Sequence, residues 1–353
     1  MRMTQLSLFL SIPALGSMLA CSGGGSTGAT PPPVQTVTDL YVTGYEFNGT
    51  YYVAKVWKNG VPTSLTDGTR TAVGLSVAVS GSDVYVAGYE NSSATGLGVA
   101  KIWKNGVATA LTDGTKAAAA YSVTVVGSDI YSGGYERSGG SGTPYKAIAW
   151  KNGATTFATD GSNDASAYGA TATGTNQYLT GYESNGTFAV AKVWKDGVPS
   201  SLTNGNHQAY GYTVFVSGND VYVAGQELDN PSFYVAKIWK NGVATALTDG
   251  TKYGLAWGVT VSGNDVYASG QEGNTAGKRV AKVWKNGVAT SLTDGSNNAS
   301  AYSMGVSGSD VYTVGYESNG TKDVAKVWKN GIATSLTNGA NNAYIEGLFI
   351  HVH

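Results

Sequence analysis

Carboxylates are the residues of this 353-residue chain best placed to do chemistry. The phrase Gly-Tyr-Glu or Gly-Gln-Glu occurs seven times, ending at Glu46, Glu90, Glu136, Glu183, Glu227, Glu272 and Glu317. Nine to eleven residues after six of these glutamates, a lysine precedes a Val/Ile-Trp pair: Lys55, Lys101, Lys192, Lys237, Lys282 and Lys326. In the third copy Ile148 takes the lysine's place. Seven carboxylates on a ring could hold a cation, and two flanking a sugar could hydrolyse a glycosidic bond. Opposite charges on neighbouring strands of one hairpin instead satisfy each other. A feature present in every copy belongs to the construction of the copy, so the expected role of these pairs is structural.

A second carboxylate set sits in Thr-Asp-Gly steps at Asp67, Asp113, Asp160, Asp249 and Asp294, with Asn204 and Asn338 as substitutes. Such side chains close local turns by bonding their own backbone. No loop alternates oxygen ligands as a calcium cage does, so neither a metal nor a cofactor is expected. His207, His351 and His353 are the three histidines and do not form a paired metal spacing. There is no nucleophile elbow and no phosphate-cradling glycine loop joined to a helix. The single cysteine excludes an intrachain disulfide. A net charge of −1 leaves no basic field for nucleic acid.

The elements that must position these residues are set by repetition. Val-Trp-Lys-Asn-Gly or a close variant recurs at Trp57, Trp103, Trp150, Trp194, Trp239, Trp284 and Trp328, in steps of 44 to 47 residues. A fixed period in that range marks one supersecondary unit copied around an array. Within the copy around Trp284, strands are predicted over Ala256–Val261, Val266–Glu272, Val280–Lys285 and Val288–Thr293. Asn286-Gly287 is the strongest short hairpin signal, because a type I′ turn needs positive φ at both central residues. Fifty glycines and 23 tyrosines with few charges suit many short strands and tight turns. Four antiparallel strands per unit and seven units predict an all-β, seven-bladed propeller over residues 39–353.

The two ends of the array are incomplete in complementary ways. Asp39-Leu40-Tyr41 matches a second strand, whereas Ile345 to Val352 matches a first strand. Their pairing is expected to close the ring as a monomer and remove two exposed sheet edges. If first strands line the channel, one position per blade rings a mouth: Leu75, Tyr121, Tyr168, Tyr212, Trp257, Tyr302 and Glu346. These aromatics either pack between blades or stack a flat ligand. Closure should set Glu346 between Leu75 and Tyr302. Variable loops, such as Phe47 to Tyr52, Asn91 to Gly98, Arg137 to Tyr145, Leu228 to Tyr234 and Gly273 to Arg279, share one side of the disc. So do the connections between blades, including His207, and binding residues concentrate on loops held by a rigid scaffold.

The first residues carry an address. Arg2 precedes a mostly apolar run from Leu6 to Leu15, followed by Met18-Leu19-Ala20-Cys21, so residues 1–20 read as a signal peptide. The last four resemble a bacterial lipobox, in which the cysteine is acylated and becomes the first mature residue. Residues 21–38 then form a glycine, serine and proline leash. Resemblance to Gram-negative lipoproteins implies the outer membrane, on either face, because Ser22 lacks the aspartate that favours inner-membrane retention.

"Ala-Lys-Val-Trp-Lys-Asn-Gly…Leu-Thr-Asp-Gly" and "Val-Ser-Gly-Ser-Asp-Val-Tyr-Val-Ala-Gly-Tyr-Glu" are similar to the HAF-type repeat of bacterial extracellular propellers. Val-Ala-Lys replaces its His-Ala-Phe signature, and Thr-Asp-Gly replaces its Leu-Gly step. That resemblance implies the fold and no chemistry. The expected function is a membrane-anchored, non-enzymatic binding protein or scaffold, lectin-like, that recognises a protein or glycan through its variable-loop face. The alternative is a carbohydrate-active enzyme, a glycoside hydrolase or lyase with carboxylates at the channel mouth.

Overall fold

The computed structural model describes residues 38–353 apart from 138, 140–141 and 230–231; the expected signal peptide, Cys21 and nearly all of its leash lie outside the described residues. The described chain forms 28 strands, from β1 (Thr38–Phe47) to β28 (Ala343–Val352), and no helix. They make seven four-stranded antiparallel sheets, from β4 (Ala72–Ser80) to β7 (Val107–Ala110), from β8 (Ala118–Val126) to β11 (Ala154–Ala158), and so on to the last, from β24 (Ala299–Ser307) to β27 (Ile332–Ser335). Blade 1 is built as β28-β1-β2-β3, with β2 at Tyr52–Lys58 and β3 at Val61–Ser64. The fold is thus a seven-bladed propeller closed by the C-terminal strand. Pairing runs from Thr38↔Val352 to Glu46↔Ala343, a little longer at each end than the ladder expected.

The repeat unit around Trp284 shows how the sequence sets each strand. β20 (Gly254–Ser262), β21 (Asp265–Gly273) and β22 (Arg279–Lys285) extend slightly beyond the predicted spans. β23 (Val288–Ser291) stops two residues early. The ladder ends there because Thr293 Oγ1, not a backbone carbonyl, accepts the Ala281 N–H at 3.3 Å. Thr112, Thr159, Thr248 and Thr337 end their ladders the same way. All seven outermost strands are short, and their residues are almost all exposed. Short edges offer little template for pairing with another chain.

The Asn-Gly turns adopt the expected geometry, with Asn286 at φ 50° and Gly287 at 83°. Asn286 also ties two turns together. Its Oδ1 accepts the Val266 N–H at 2.9 Å, and its Nδ2 donates to Asp265 at 2.8 Å. Lys285 completes the cluster with an ion pair to Asp265 at 2.8 Å and its ammonium over the Tyr267 ring. Hairpin turns of strands one–two and three–four therefore share one side of the disc, the turn face. The variable loops share the other.

The seven repeated tryptophans are the largest fully buried side chains. Trp103 shares one cluster with Val86 of its own blade and Ala118, Ala120 and Val123 of the next. Each indole fills the wedge between two blades, and removing such a side chain costs about 3–5 kcal/mol.

Candidate functional site: the mouth of the central channel

The innermost strands β28, β4, β8, β12 (Ala165–Thr173), β16 (Ala209–Ser217), β20 and β24 neighbour one another around the axis. Each carries one irregularity near the variable-loop face. Gly258 pairs with Ser269 and Ala256 with Gly270, so Trp257 has no partner across the ladder. The skipped residues of the other blades are Leu75, Tyr121, Tyr168, Tyr212, Tyr302 and Glu346. The ring position is therefore a β-bulge in every blade, and a bulge re-aims a side chain out of the sheet's alternation.

The bulge has a sequence cause on the facing strand. Opposite it lies the glycine of Gly-Tyr/Gln-Glu, and a Cβ on Gly270 would meet the Leu255 carbonyl oxygen at 2.0 Å. A Cβ on Gly44, Gly88, Gly134, Gly181, Gly225 or Gly315 would meet the matching carbonyl oxygen at 1.8 to 2.0 Å. Only a residue without a side chain lets the inner strand buckle toward its neighbour there.

The seven bulge residues, with Thr213, line one cavity of about 340 Å³. Five of them form a continuous aromatic arc. Ring centroids are 5.2 Å apart for Tyr121–Tyr168, 5.4 Å for Tyr168–Tyr212, 4.4 Å for Tyr212–Trp257 and 5.3 Å for Trp257–Tyr302. Glu346 and Leu75 interrupt the arc on neighbouring strands. Thr213 Oγ1 donates to the Trp257 carbonyl at 2.8 Å and links the bulges of blades 5 and 6.

A second aromatic tier supports the first and was not recognised in the sequence. It consists of the residues that precede the repeated glutamates: Tyr45, Tyr89, Tyr135, Tyr182 and Tyr316, with Gln226 and Gln271 in blades 5 and 6. Tyr135 lies 5.6 Å from Tyr121, Tyr182 lies 5.8 Å from Tyr168, and Tyr316 lies 5.8 Å from Tyr302. Tyr45 donates its hydroxyl to Glu346 at 3.4 Å. The constant place of these residues before each glutamate was the signal that could have revealed them.

Burial dominates the electrostatics of the mouth. It pushes the Tyr121, Tyr168, Tyr212 and Tyr302 phenols well above their usual range, and Glu346 adds to the effect on Tyr302. Tyr45 is raised by burial first and then by Glu346, and Tyr182 is pushed up to about 12 by burial. The phenols therefore stay neutral, leaving Glu346 as the ionisable carboxylate in the lining.

The remaining candidates lie elsewhere. His207 does not join the ring: it is exposed in a connection between blades, 6.5 Å from the Phe188 ring. The repeated glutamates bind lysines on the neighbouring strand: Lys55–Glu46 and Lys282–Glu272 at 2.5 Å, Lys237–Glu227 at 2.8 Å, Lys192–Glu183 at 3.2 Å, Lys326–Glu317 at 3.5 Å, and Lys101–Glu90. In blade 3, where Ile148 replaces lysine, Glu136 turns to Lys116 at 3.6 Å. Asp67, Asp113, Asp160, Asp249 and Asp294 each accept from the backbone two residues on, closing their own turns.

No protein-family model matches the chain, and no curated protein sequence does. Solved structures are similar in fold. An acylaminoacyl peptidase of Pyrococcus horikoshii is 12% identical with a TM-score of 0.52, over 86% of this chain and 51% of that one. A puromycin-hydrolyzing peptidase of Mycobacterium tuberculosis is 10% identical with a TM-score of 0.55, over 84% of this chain and 51% of that one. The chain thus spans about half the length of these two peptidases. The β-propeller domain of the Trilobed protease from Pyrococcus furiosus is 9% identical with a TM-score of 0.51, over 86% of this chain and 95% of that domain. That domain is described as having an open velcro topology, whereas β28 here completes blade 1. The likeness is one of architecture: this chain is an all-β, seven-bladed propeller resembling propeller domains of peptidases.

Proposed function

We propose that the protein is a non-enzymatic binding propeller that takes a terminal group of a protein or glycan into the channel mouth on its variable-loop face. The observation that carries this reading is the convergence of seven bulge residues on one half-buried, aromatic-lined cavity of about 340 Å³. Ligand sites are concave, mostly apolar and marked by a few placed polar groups. Two-carboxylate hydrolysis has less support, since Glu346 is the one carboxylate among the described residues lining the mouth.

Arrayed glycans and peptides probed with the protein test this reading. Binding should be lost in Trp257→Leu and kept in Lys285→Ala, on the turn face. Leucine already occupies the equivalent bulge at Leu75, so the substitution suits the scaffold. Ligands indifferent to the mouth substitution would overturn the reading.

We also propose an acyl anchor on Cys21 that holds the domain at the bacterial outer membrane. Support comes from Met18-Leu19-Ala20-Cys21 and the leash of Ser22 to Pro33. Cys21→Ser should abolish fatty-acid labelling and release the protein from the membrane fraction. A parent protein that never labels sinks the idea.

A further inference from the structure

We infer that the group seated in the mouth is an organic cation, an alkylated ammonium of the trimethylammonium type. This deepens the proposed binding role and rests on it. The first support is geometric. Neighbouring centroids of the arc lie 4.4 to 5.4 Å apart around a seven-fold ring, which places each centroid about 6 Å from the axis, the outer limit for attraction between a cation and an aromatic ring. A compact cation displaced from the axis toward the arc comes within that limit of the rings on its side.

The second support is electrostatic. Among the described residues the lining contains no lysine, arginine or histidine, and its phenols are kept neutral by burial. Aromatic π faces carry partial negative charge. The carboxyl group of Glu346 lies on the side that the arc leaves open and supplies a full negative charge when ionised. Tyr45 donates to one of its oxygens, which fixes the group at the wall. Arg279 lies 5.8 Å from the centroid of Tyr316 in the outer tier; its charge also acts on the Tyr302 phenol, but it does not line the cavity. An anion would meet repulsion from the carboxylate and the π faces together. A neutral guest would gain only the apolar contact.

Alkylation matters because the wall offers a single carboxyl group. A primary ammonium entering the cavity would exchange water at three N–H donors for that group and for neutral hydroxyls of tyrosine and Thr213. A trimethylammonium has no such donors, and its spread charge suits an aromatic wall, as aromatic cages for quaternary ammonium groups show. Trp257, the widest π surface of the arc, is held against Tyr212 at 4.4 Å and should carry the largest share.

The test titrates the full chain with tetramethylammonium, with choline and with 3,3-dimethyl-1-butanol, the neutral isostere of choline. Calorimetry and tryptophan fluorescence follow binding. The two cations should bind saturably, with the isostere at least about tenfold weaker. Glu346→Gln and Trp257→Leu should each weaken the cations several-fold, while unchanged melting curves confirm that both variants are folded. Phosphatidylcholine vesicles form a separate arm. Binding to vesicles as well as free choline identifies a presented headgroup as the source, and binding to free choline alone identifies the soluble cation.

Equal affinity for choline and its neutral isostere, or cation binding unaffected by Glu346→Gln, overturns the inference. Neutral saccharides that bind and depend on Trp257 would overturn the cation while leaving the mouth as the binding site. Failure of both the titrations and the arrays to find a mouth-dependent ligand removes the two readings together.

Discussion

The two faces of the disc are built from the same repeats and end in opposite conditions. On the turn face each copy closes upon itself. In six blades the aspartate that opens the second strand binds the lysine after the tryptophan and the asparagine of the following turn, as Asp265 does with Lys285 and Asn286. At the mouth the repeated feature is a backbone bulge, and the side chain it projects is left free to vary: five aromatics, one leucine and one glutamate. The scaffold thus repeats its geometry on both faces and its chemistry on one. Repetition stabilises the turn face; at the mouth it supplies identical mounts for unlike groups.

Removing Ile345 to His353 should have the largest effect on this contrast. It strips most of the inner strand from blade 1, opens the ring and takes Glu346 from the mouth. Cooperative thermal unfolding and monodispersity in size-exclusion chromatography should both be lost. A truncated protein as stable as its parent would show that the seam is dispensable and the seven mounts independent.

Next come two glycines, one for each face. Gly270→Ala places a methyl group 2.0 Å from the Leu255 carbonyl and should cost about 1–3 kcal/mol in denaturant unfolding while disturbing the Trp257 mount. Gly287→Ala has open space around it and suffers only the left-handed backbone at φ 83°, a cost of about 1–2 kcal/mol. Altered Trp257 fluorescence in the first variant and not the second would separate the mouth from the turn face. The same change in both would erase that distinction.

The faces should also respond to opposite ends of the pH scale. Burial raises the folded-state ionisation of Tyr121, Tyr212 and Tyr302 above the ordinary value of 10.0. The unfolded chain therefore releases those protons first, so the stabilisation is whole below pH 10 and lost as pH climbs through the folded values. Melting temperature should fall above that pH, with ring phenolate absorbance appearing at unfolding and not before. Early phenolate absorbance in the folded state would place the ring in solvent.

The smallest effect lies on the turn face. Lys285, then Asn286, hold the Asp265 carboxylate below its ordinary value of 3.8. A depressed carboxylate contributes above its unfolded value, and its contribution fades as pH falls below that point. Asp265→Asn should slightly reduce stability at neutral pH and flatten the decline on acidification, read from melts at pH 3 to 7. An acid profile identical to the parent's would remove this pair from the account of the face.

Much of this architecture was legible because it is written seven times. The tryptophan spacing announced the blades, Asn-Gly announced the turns, and counting along each copy aligned Leu75, Tyr121, Tyr168, Tyr212, Trp257, Tyr302 and Glu346. The bulge was not legible, since alternation along β20 reads smoothly through Trp257. Its cause sits in another strand, in the glycine opposite, and becomes visible only when the two strands are set in register. The second tyrosine tier was not legible for a related reason: Tyr45 and Tyr316 precede glutamates on one strand, and the mouth side chains they support lie on another. The early end of β23 depended on a threonine hydroxyl replacing a backbone acceptor, a substitution that strand propensity does not register.

The direction in which β1 runs has a consequence for how the protein would stand on a surface. Thr38 and Asp39 lie at the turn face, where Asp39 binds Lys58 and Asn59, and the strand climbs from there to Glu46 near the mouth. Whatever precedes Thr38 therefore joins the disc from beneath. An acyl group on Cys21 would therefore be joined to the domain at its constant underside, the side opposite the aromatic bowl.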